Sequence, residues 1–181
     1  LDRLDVLVNN AGITTLGSIE DVTLEQFRHE FEIDVVGVFL GCKQGVATMK
    51  AHGGSIINMS SMTGVRAQAD LVAYNAAKAA VTHMSKSVAL HCAKQGYGIR
   101  CNSVHPGGID TAMLGSIMDR YIAIGAVPSR DVALAGIVAN HPLGRLGQPE
   151  ELGGGVVFLC SESASFVTCS ELNIDGGFTA I

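Results

Sequence analysis

Two short runs near the middle of the chain decide its fold. Gly54–Gly64 reads G-S-I-I-N-M-S-S-M-T-G, and Ala73–Val81 reads A-Y-N-A-A-K-A-A-V. Within the first run, Ser55–Met59 is a short apolar segment next to glycine, a pattern that predicts a buried β-strand. The second run opens a longer segment, Ala73–Leu90, in which alanine, lysine and spaced apolar residues predict an α-helix.

Ser61, Tyr74 and Lys78 form a candidate reaction centre in this stretch. Tyr74 and Lys78 are four residues apart and are therefore neighbours on one helix face. An ammonium about 4 Å from a phenol oxygen interacts by roughly 4 kcal/mol at an effective dielectric of ~20. We therefore expect Lys78 to lower the pKa of Tyr74 by up to about 3 units, which suits a general acid or base. The alternative, an ordinary solvated Tyr–Lys pair, stays open for these two residues alone.

Three further apolar runs extend the alternation of strand and helix: Asp5–Val8, Ile99–Val104 and Leu172–Ile174. This order predicts an α/β fold with parallel strands and right-handed crossovers.

The ends of three predicted strands carry polar residues and glycine. These segments are Asn9–Gly12, Ser60–Ser61 and Pro106–Thr111. Because parallel strands end at the same edge of a sheet, where such folds bind ligands, we expect the three segments to converge there. For Asn9–Gly12, a plain turn is the alternative to a binding loop, and its asparagines are suited to tying neighbouring strands together.

A long helix is predicted over Thr23–Lys50, because a threonine followed three residues later by a glutamine forms a capping box at its start. Asp34, Gly37 and Gly41 interrupt its pattern, and the small residues indicate close packing against another helix. A buried Asp34 needs a partner, whereas an exposed one does not, and the spacing leaves both possibilities open.

The remaining segments differ in regularity. Gly98 is expected to end the second helix, and Gln148–Leu159 has the proline and acids of a helix start. Thr111–Gly125 is amphipathic, and its position after a strand end favours an apolar lid over a plain core helix. Pro128–Pro142 is less regular and is predicted to be an insertion or a loop–helix excursion.

Composition excludes several classes of function. The chain has 181 residues and a net charge of −5 without a basic cluster, which argues against nucleic acid as a partner. Five dispersed cysteines and unclustered histidines predict neither a disulfide framework nor a metal site, and they favour a reducing cytoplasm. No apolar run approaches the roughly 20 residues that span a bilayer, so no membrane partner is expected.

Taken together, the motifs resemble the short-chain dehydrogenase/reductase family. The resemblance runs from L-D-V-L-V-N-N-A-G at Leu4–Gly12, through N-S-V-H-P-G-G-I-D-T at Asn102–Thr111, to I-D-G-G-F at Ile174–Phe178. Ser61 stands thirteen residues before Tyr74, and Lys78 four after it. The resemblance implies part of a Rossmann-like, doubly wound parallel sheet that binds NAD or NADP, with NAD preferred.

The family's roles carry over to matching positions. Tyr74 would exchange a proton with the substrate oxygen, Lys78 would lower the pKa of Tyr74 and hold the nicotinamide ribose, and Ser61 would polarise the carbonyl. The backbone near Ile109 and the side chain of Thr111 would hold the carboxamide and phosphate side of the cofactor. The full implied cofactor set is Asn10, Ala11, Gly12, Tyr74, Lys78, Pro106, Gly107, Ile109 and Thr111.

Two positions and one segment depart from the family pattern. Asp34, counted here in the catalytic set, replaces a usual asparagine, and a carboxylate near Lys78 would raise the pKa of Tyr74. Cys169 stands where relatives often carry glycine. No G-x-x-x-G-x-G motif precedes the first strand, so we expect residues 1–181 to be one N-terminally incomplete domain that is inactive in isolation.

The resemblance favours an NAD(P)-dependent oxidoreductase that interconverts a secondary alcohol and a ketone of steroid or alicyclic type. The alternatives are a 3-oxoacyl thioester reductase, a sugar-nucleotide epimerase or dehydratase, and a catalytically silent fragment. The resemblance also implies a homotetramer, for which we expect the Thr23–Lys50 and Ala73–Lys94 helices to form an interface.

Overall fold

The computed structural model describes residues 3–181, which form a parallel four-stranded sheet flanked by helices. The strands lie side by side in chain order: β1 (Val6–Asn9), β2 (Gly54–Met59), β3 (Ile99–Pro106) and β4 (Glu171–Ile174). The prediction of an α/β fold with parallel strands is confirmed.

The helices pack on both faces of this sheet. They are α1 (Leu24–Phe31), a π-helical segment (Glu32–Val36), α2 (Gly37–Met49), α3 (Val72–Gln95), α4 (Ala112–Ala123), α5 (Arg130–Ala139) and α6 (Pro149–Cys160). One-turn 3₁₀ helices lie at Met62–Gly64, Glu162–Ala164 and Phe178–Ala180.

Strand β2 shows why the sheet is covered on both sides. Successive side chains of a strand point to opposite faces, and both Ile56 and Ile57 are fully buried. Ile56 joins a core cluster that includes Val38 of α2 and Val81 of α3, whereas Ile57 packs with Leu159 of α6. Its continuous apolar run is therefore the sequence pattern expected of a central parallel strand.

The predicted Thr23–Lys50 helix is present, and Thr23 forms the expected capping box with Gln26. The helix is not broken at Asp34 but widens into the π-helical segment, a feature that often marks functional sites. The small residues do not face another helix. A Cβ at position 41 would collide with the side-chain amide of Asn9, so Gly41 packs against strand β1.

One predicted boundary was wrong. Helix α3 ends before Gly96, which takes the left-handed conformation that closes many helices (φ 67°), rather than at Gly98. The segment Pro128–Pro142, predicted to be an insertion or a loop–helix excursion, contains α5, whose start is capped by the Ser129 hydroxyl accepting from the Val132 amide at 3.4 Å.

Strand β1 lies at one edge of the sheet within residues 3–181, opposite β4, and Val6 and Val8 are partly exposed. In the same part of the chain, each helix is too short or too polar to cross a lipid bilayer.

Candidate active site

The three strand ends converge, as predicted, on one cleft of about 630 Å³. Its walls come from the segments after β1, β2 and β3, from the first turn of α3, and from α4 and α6. Every predicted site residue except Asp34 lines this cleft: Asn10, Ala11, Gly12, Ser61, Tyr74, Lys78, Pro106, Gly107, Ile109 and Thr111.

Ser61 is fixed at the end of β2 by two neighbours. Its hydroxyl accepts from the backbone amide and the hydroxyl of Thr63, each at 3.1 Å, because it caps the Met62–Gly64 turn. Its carbonyl accepts from His105 Nδ1 at 3.0 Å, which places the imidazole proton on Nδ1 and leaves Nε2 to accept from Ser103 Oγ at 2.9 Å. Burial lowers the pKa of His105, so the ring is held neutral in this orientation.

Tyr74 and Lys78 lie together in the first turns of α3. The Lys78 ammonium is 5.3 Å from the centre of the Tyr74 ring, which meets the expectation from their spacing. Lys78 is buried, and its Nζ donates to the Met59 carbonyl at 3.2 Å and pairs with Asp34 Oδ2 at 3.0 Å. The ordinary solvated pair is therefore excluded.

The expected pKa of Tyr74 was wrong in direction. Burial raises the pKa of the phenol, the negative charge of Asp34 acts the same way, and the hydroxyl of Ser61 lowers it by less. Lys78 is not among the groups that lower this pKa, and its ammonium is paired with the carboxylate of Asp34 at 3.0 Å. Asp34 raises the pKa of Tyr74, which is the effect expected of a carboxylate near Lys78.

Asp34 lies behind the cleft and is fully buried. Of the two possibilities left open by its spacing, burial with a partner and exposure to solvent, the structure shows the first. Its Oδ1 accepts from the Ile13 amide at 2.8 Å, and its Oδ2 pairs with Lys78. A Cβ at Gly12 would come within 3.1 Å of Asp34 Oδ2 and 3.2 Å of Lys78 Nζ, so a residue without a side chain suits this loop. The π-helical segment thereby positions both the loop after β1 and the lysine.

The segment after β3 is held by the protein itself. Thr111 caps α4, with its hydroxyl accepting from the Leu114 amide at 3.4 Å, and Gly108 donates its amide to His141 Nε2 at 2.8 Å. A Cβ at Gly107 would come within 2.6 Å of Asp175 Cα. Close packing therefore accounts for the glycine at position 107, and helix capping accounts for the threonine at position 111, without a ligand.

A second cavity of about 420 Å³ adjoins the cleft, and Met62 lines both. Its walls are mainly apolar and come from α4, α5, the loop after Ser61 and the C-terminal Phe178. Arg66 lies at this wall, with its guanidinium over the Phe178 ring and its Nη1 donating to the Phe178 carbonyl at 2.9 Å. Tyr121 of α4 donates to the Asp70 carboxylate and joins the helix to that loop.

Sequence reasoning missed two buried residues of this site, His105 and Glu30. His105 lies in the N-S-V-H-P-G-G-I-D-T segment, but the resemblance assigned it no role. Glu30 precedes Asp34 by four residues, so the shared helix face was a usable signal.

Comparisons with known proteins identify the class to which this fold and cleft belong. Residues 1–179 match the family profile described as enoyl-(acyl carrier protein) reductase. The short chain dehydrogenase family protein from Francisella tularensis subsp. tularensis SCHU S4 has a similar structure, with a TM-score of 0.90 and 33% identity over 99% of this chain and 72% of that one. The chain belongs to the short-chain dehydrogenase/reductase family.

Its relatives carry more specific names. The chain is 41% identical to 3-beta-hydroxysteroid dehydrogenase from Comamonas testosteroni over 97% of this chain and 66% of that protein. It is 45% identical to cyclopentanol dehydrogenase from Comamonas sp. (strain NCIMB 9872) over 99% of this chain and 67% of the relative. A solved structure described as ElxO with NADP bound has a TM-score of 0.85 and 31% identity over 99% of this chain and 68% of that one. The chain thus spans about two thirds of the length of the curated relatives that it matches.

Proposed function

We propose that the protein is an NAD(P)-dependent oxidoreductase that interconverts a secondary alcohol and a ketone of steroid or alicyclic type. The proposal rests on one observation: Ser61, Tyr74 and Lys78 line one cleft, with the lysine beside the tyrosine ring. The names of the two Comamonas relatives support the substrate class. We further propose that residues 1–181 belong to one domain.

The residues present suit a dinucleotide cofactor. The cleft lies at the carboxyl ends of the parallel strands, and Gly12 keeps its floor open above Lys78. Asn10–Gly12 and Pro106–Thr111 would form its walls, and Lys78 would hold the ribose. When bound, the nicotinamide supplies or accepts the hydride. NADP in the ElxO structure supports this class of cofactor, and we propose NAD or NADP with a preference for NAD.

Within this arrangement, Tyr74 moves the proton of the substrate hydroxyl. In alcohol oxidation its phenolate takes the proton while the carbinol carbon loses a hydride, and in ketone reduction the phenol returns it. Ser61, whose hydroxyl is fixed by Thr63, orients the same substrate oxygen. Because burial and Asp34 raise the pKa of Tyr74, we expect oxidation to be favoured at alkaline pH and reduction at neutral pH.

The second cavity would receive the body of the substrate. Its apolar walls suit a ring system, and Met62 at its junction with the cleft would separate that body from the reacting oxygen. Helix α4 contributes Met113, Leu114 and Ile117 to the cleft, which supports the proposed lid.

Replacement of the Tyr74 hydroxyl tests the proposal directly. In the full-length protein that carries this chain, Tyr74→Phe should lower turnover of ketones with NADH or NADPH by at least about 10²-fold, because general acid–base catalysis contributes that much. Tyr97→Phe, which removes a hydroxyl from a tyrosine packed against the core away from the cleft, is the matched control and should leave turnover unchanged. Equal activity of the Tyr74 variant and wild type would contradict the assignment.

The second candidate function is reduction of an acyl thioester, which the description of the matching family profile favours. A panel that pairs cyclic ketones and ketosteroids with 3-oxoacyl and enoyl thioesters separates the two. Turnover of thioesters alone would replace the alcohol assignment, and no turnover of either class would indicate a catalytically silent protein.

We also propose a homotetramer located in the cytoplasm. Phe39 and Leu40 of α2 and Leu90 of α3 expose about half or more of their surface on the two helices expected to form the interface. All five cysteines are free, which suits a reducing compartment.

A further inference from the structure

A second carboxyl group is buried beside Asp34. Glu30 lies in the last turn of α1, one helical turn before Asp34, and both residues are completely inaccessible to solvent. Glu30 Oε2 accepts from the Thr15 amide at 3.1 Å, in the same way that Asp34 Oδ1 accepts from Ile13. Glu30 Oε1 is buried and has no hydrogen-bond partner within residues 3–181.

The charges around Glu30 do not balance if it is ionised. Three titratable groups act on Glu30 or respond to its charge. They are Asp34 from the π-helical segment, and the Lys78 ammonium and the Tyr74 phenol from α3. The ammonium already pairs with Asp34 at 3.0 Å, and in the loop after β1 Thr15 offers Glu30 uncharged donors, its amide and its hydroxyl, rather than a cation. One positive charge therefore serves two buried carboxyl groups. A buried carboxyl group without a cation takes up a proton rather than remain charged.

We propose that Glu30 is a neutral carboxylic acid at neutral pH and that its protonation keeps the Lys78–Asp34 pair electrically balanced beneath Tyr74. Glu30 does not line the cleft, so it is a positioning residue that acts through this pair. The proton belongs on Oε1, because Oε2 already accepts from the Thr15 amide.

The direction of two pKa shifts agrees with this arrangement. Burial raises the pKa of Glu30 and is the largest effect; the Asp34 carboxylate also raises it, whereas the Thr15 hydroxyl, the Thr15 amide and Lys78 act in the opposite sense. Once ionised, Glu30 raises the pKa of Tyr74. A rise in pH that removes the Glu30 proton therefore opposes formation of the Tyr74 phenolate. Only this last consequence rests on the proposed function.

Infrared difference spectroscopy on the purified chain tests the protonation state without any activity. Wild type minus Glu30→Gln at pH 7 should show the carbonyl stretch of a protonated carboxyl, shifted in D₂O. Glu32→Gln, two residues further on and exposed, is the matched control and should show only the loss of a carboxylate signal. A Glu30→Gln difference spectrum with only carboxylate bands would overturn the proposal.

A second measurement does not depend on the folding of the variant. In wild type labelled with ¹³C at the glutamate side-chain carboxyl, one resonance should still have the shift of the acid form at pH 6, where exposed glutamates are ionised. If all resonances titrate together near pH 4 to 5, the proposal fails.

The full-length protein gives the functional readout. For alcohol oxidation, the rising limb of kcat/KM against pH should move to lower pH in Glu30→Gln and stay in place in Glu32→Gln. An unmoved limb in Glu30→Gln would contradict the electrostatic role. An inactive wild type would remove the dehydrogenase assignment, and the spectra would still decide whether Glu30 is protonated.

Discussion

The Lys78 ammonium has three neighbours at once, and their competition sets the chemistry of the cleft. It pairs with Asp34 at 3.0 Å, donates to the Met59 carbonyl at 3.2 Å and lies 5.3 Å from the Tyr74 ring centre. A lysine with a free charge would lower the pKa of a nearby phenol, whereas a lysine paired with a carboxylate does so much less. The residue at position 34 therefore controls how strongly Lys78 can act on Tyr74.

Asp34→Asn replaces the carboxylate with a neutral amide of similar shape and tests this control. The negative charge of Asp34 raises the pKa of Tyr74, so its removal should shift the rising limb of alcohol oxidation in the full-length protein towards lower pH. The same change leaves a buried ammonium without its partner and should cost about 3 kcal/mol of unfolding free energy. Both effects are measurable, by a pH–rate profile and by urea unfolding.

Asp131→Asn is the control for that experiment, because Asp131 is an exposed acid in the first turn of α5. It should leave the pH profile and the unfolding free energy close to those of wild type. An Asp34→Asn profile that coincides with the wild-type profile would disprove the electrostatic link between positions 34 and 74.

Among the elements, the turn that leads into β4 carries an unusual backbone conformation. Cys169 is the one residue other than glycine with a positive φ (59°) within residues 3–181, and its amide donates to the Cys101 carbonyl at 3.0 Å. The left-handed region costs a residue with a Cβ about 1 kcal/mol. The resemblance described above implies glycine at this position, and the positive φ of Cys169 is a physical reason for that preference.

We predict that Cys169→Gly is more stable than Cys169→Ala by about 1 kcal/mol, the reverse of the usual order in regular structure. Both variants lose the side chain that packs partly against the core, so the difference between them isolates the backbone. Thermal or urea unfolding measures it. At Ala89, a buried position in the middle of α3, the glycine variant should instead be the less stable one. An alanine variant at 169 as stable as the glycine variant would show that the turn carries no strain.

The strands and most helices could be predicted because their signals are local. The apolar run of β2, the Thr23 capping box and the proline and acids at the start of α6 each lie within a few residues. The net pKa shift of Tyr74 could not be predicted, since the burial of the phenol and the pairing of Lys78 with Asp34 depend on contacts between residues far apart in the sequence. The π-helical segment was equally hidden, because it has no composition that separates it from an α-helix.

At the scale of the whole molecule, the exposed apolar residues of α2 and α3 are expected to determine the oligomeric state. If these helices form the proposed interface, the chain should elute with the mass of a tetramer, close to four times its 18.8 kDa. Leu40→Glu should lower that mass, because a buried, unpaired carboxylate in an interface is costly. Size-exclusion chromatography with light scattering measures the change.

Ile19→Glu is the control for the assembly experiment, since Ile19 is an exposed apolar residue in the loop before α1 and outside both helices. It should leave the mass unchanged. A wild-type chain that is monomeric at micromolar concentration, or a Leu40→Glu variant with the wild-type mass, would rule out the interface.

Gly41 of α2 affects the packing of polar side chains in the core. Gly41 leaves room for the Asn9 side chain, whose Nδ2 donates to Asn58 Oδ1 at 2.7 Å, and Asn58 in turn donates to Ser85 of α3 at 2.9 Å. A Cβ at position 41 would displace the Asn9 side chain and so disturb the hydrogen bonds that join β1, β2 and α3. These three elements lead into segments that line the cleft. Natural loss-of-function alleles should therefore include changes at this codon, although it encodes no group that could touch a substrate.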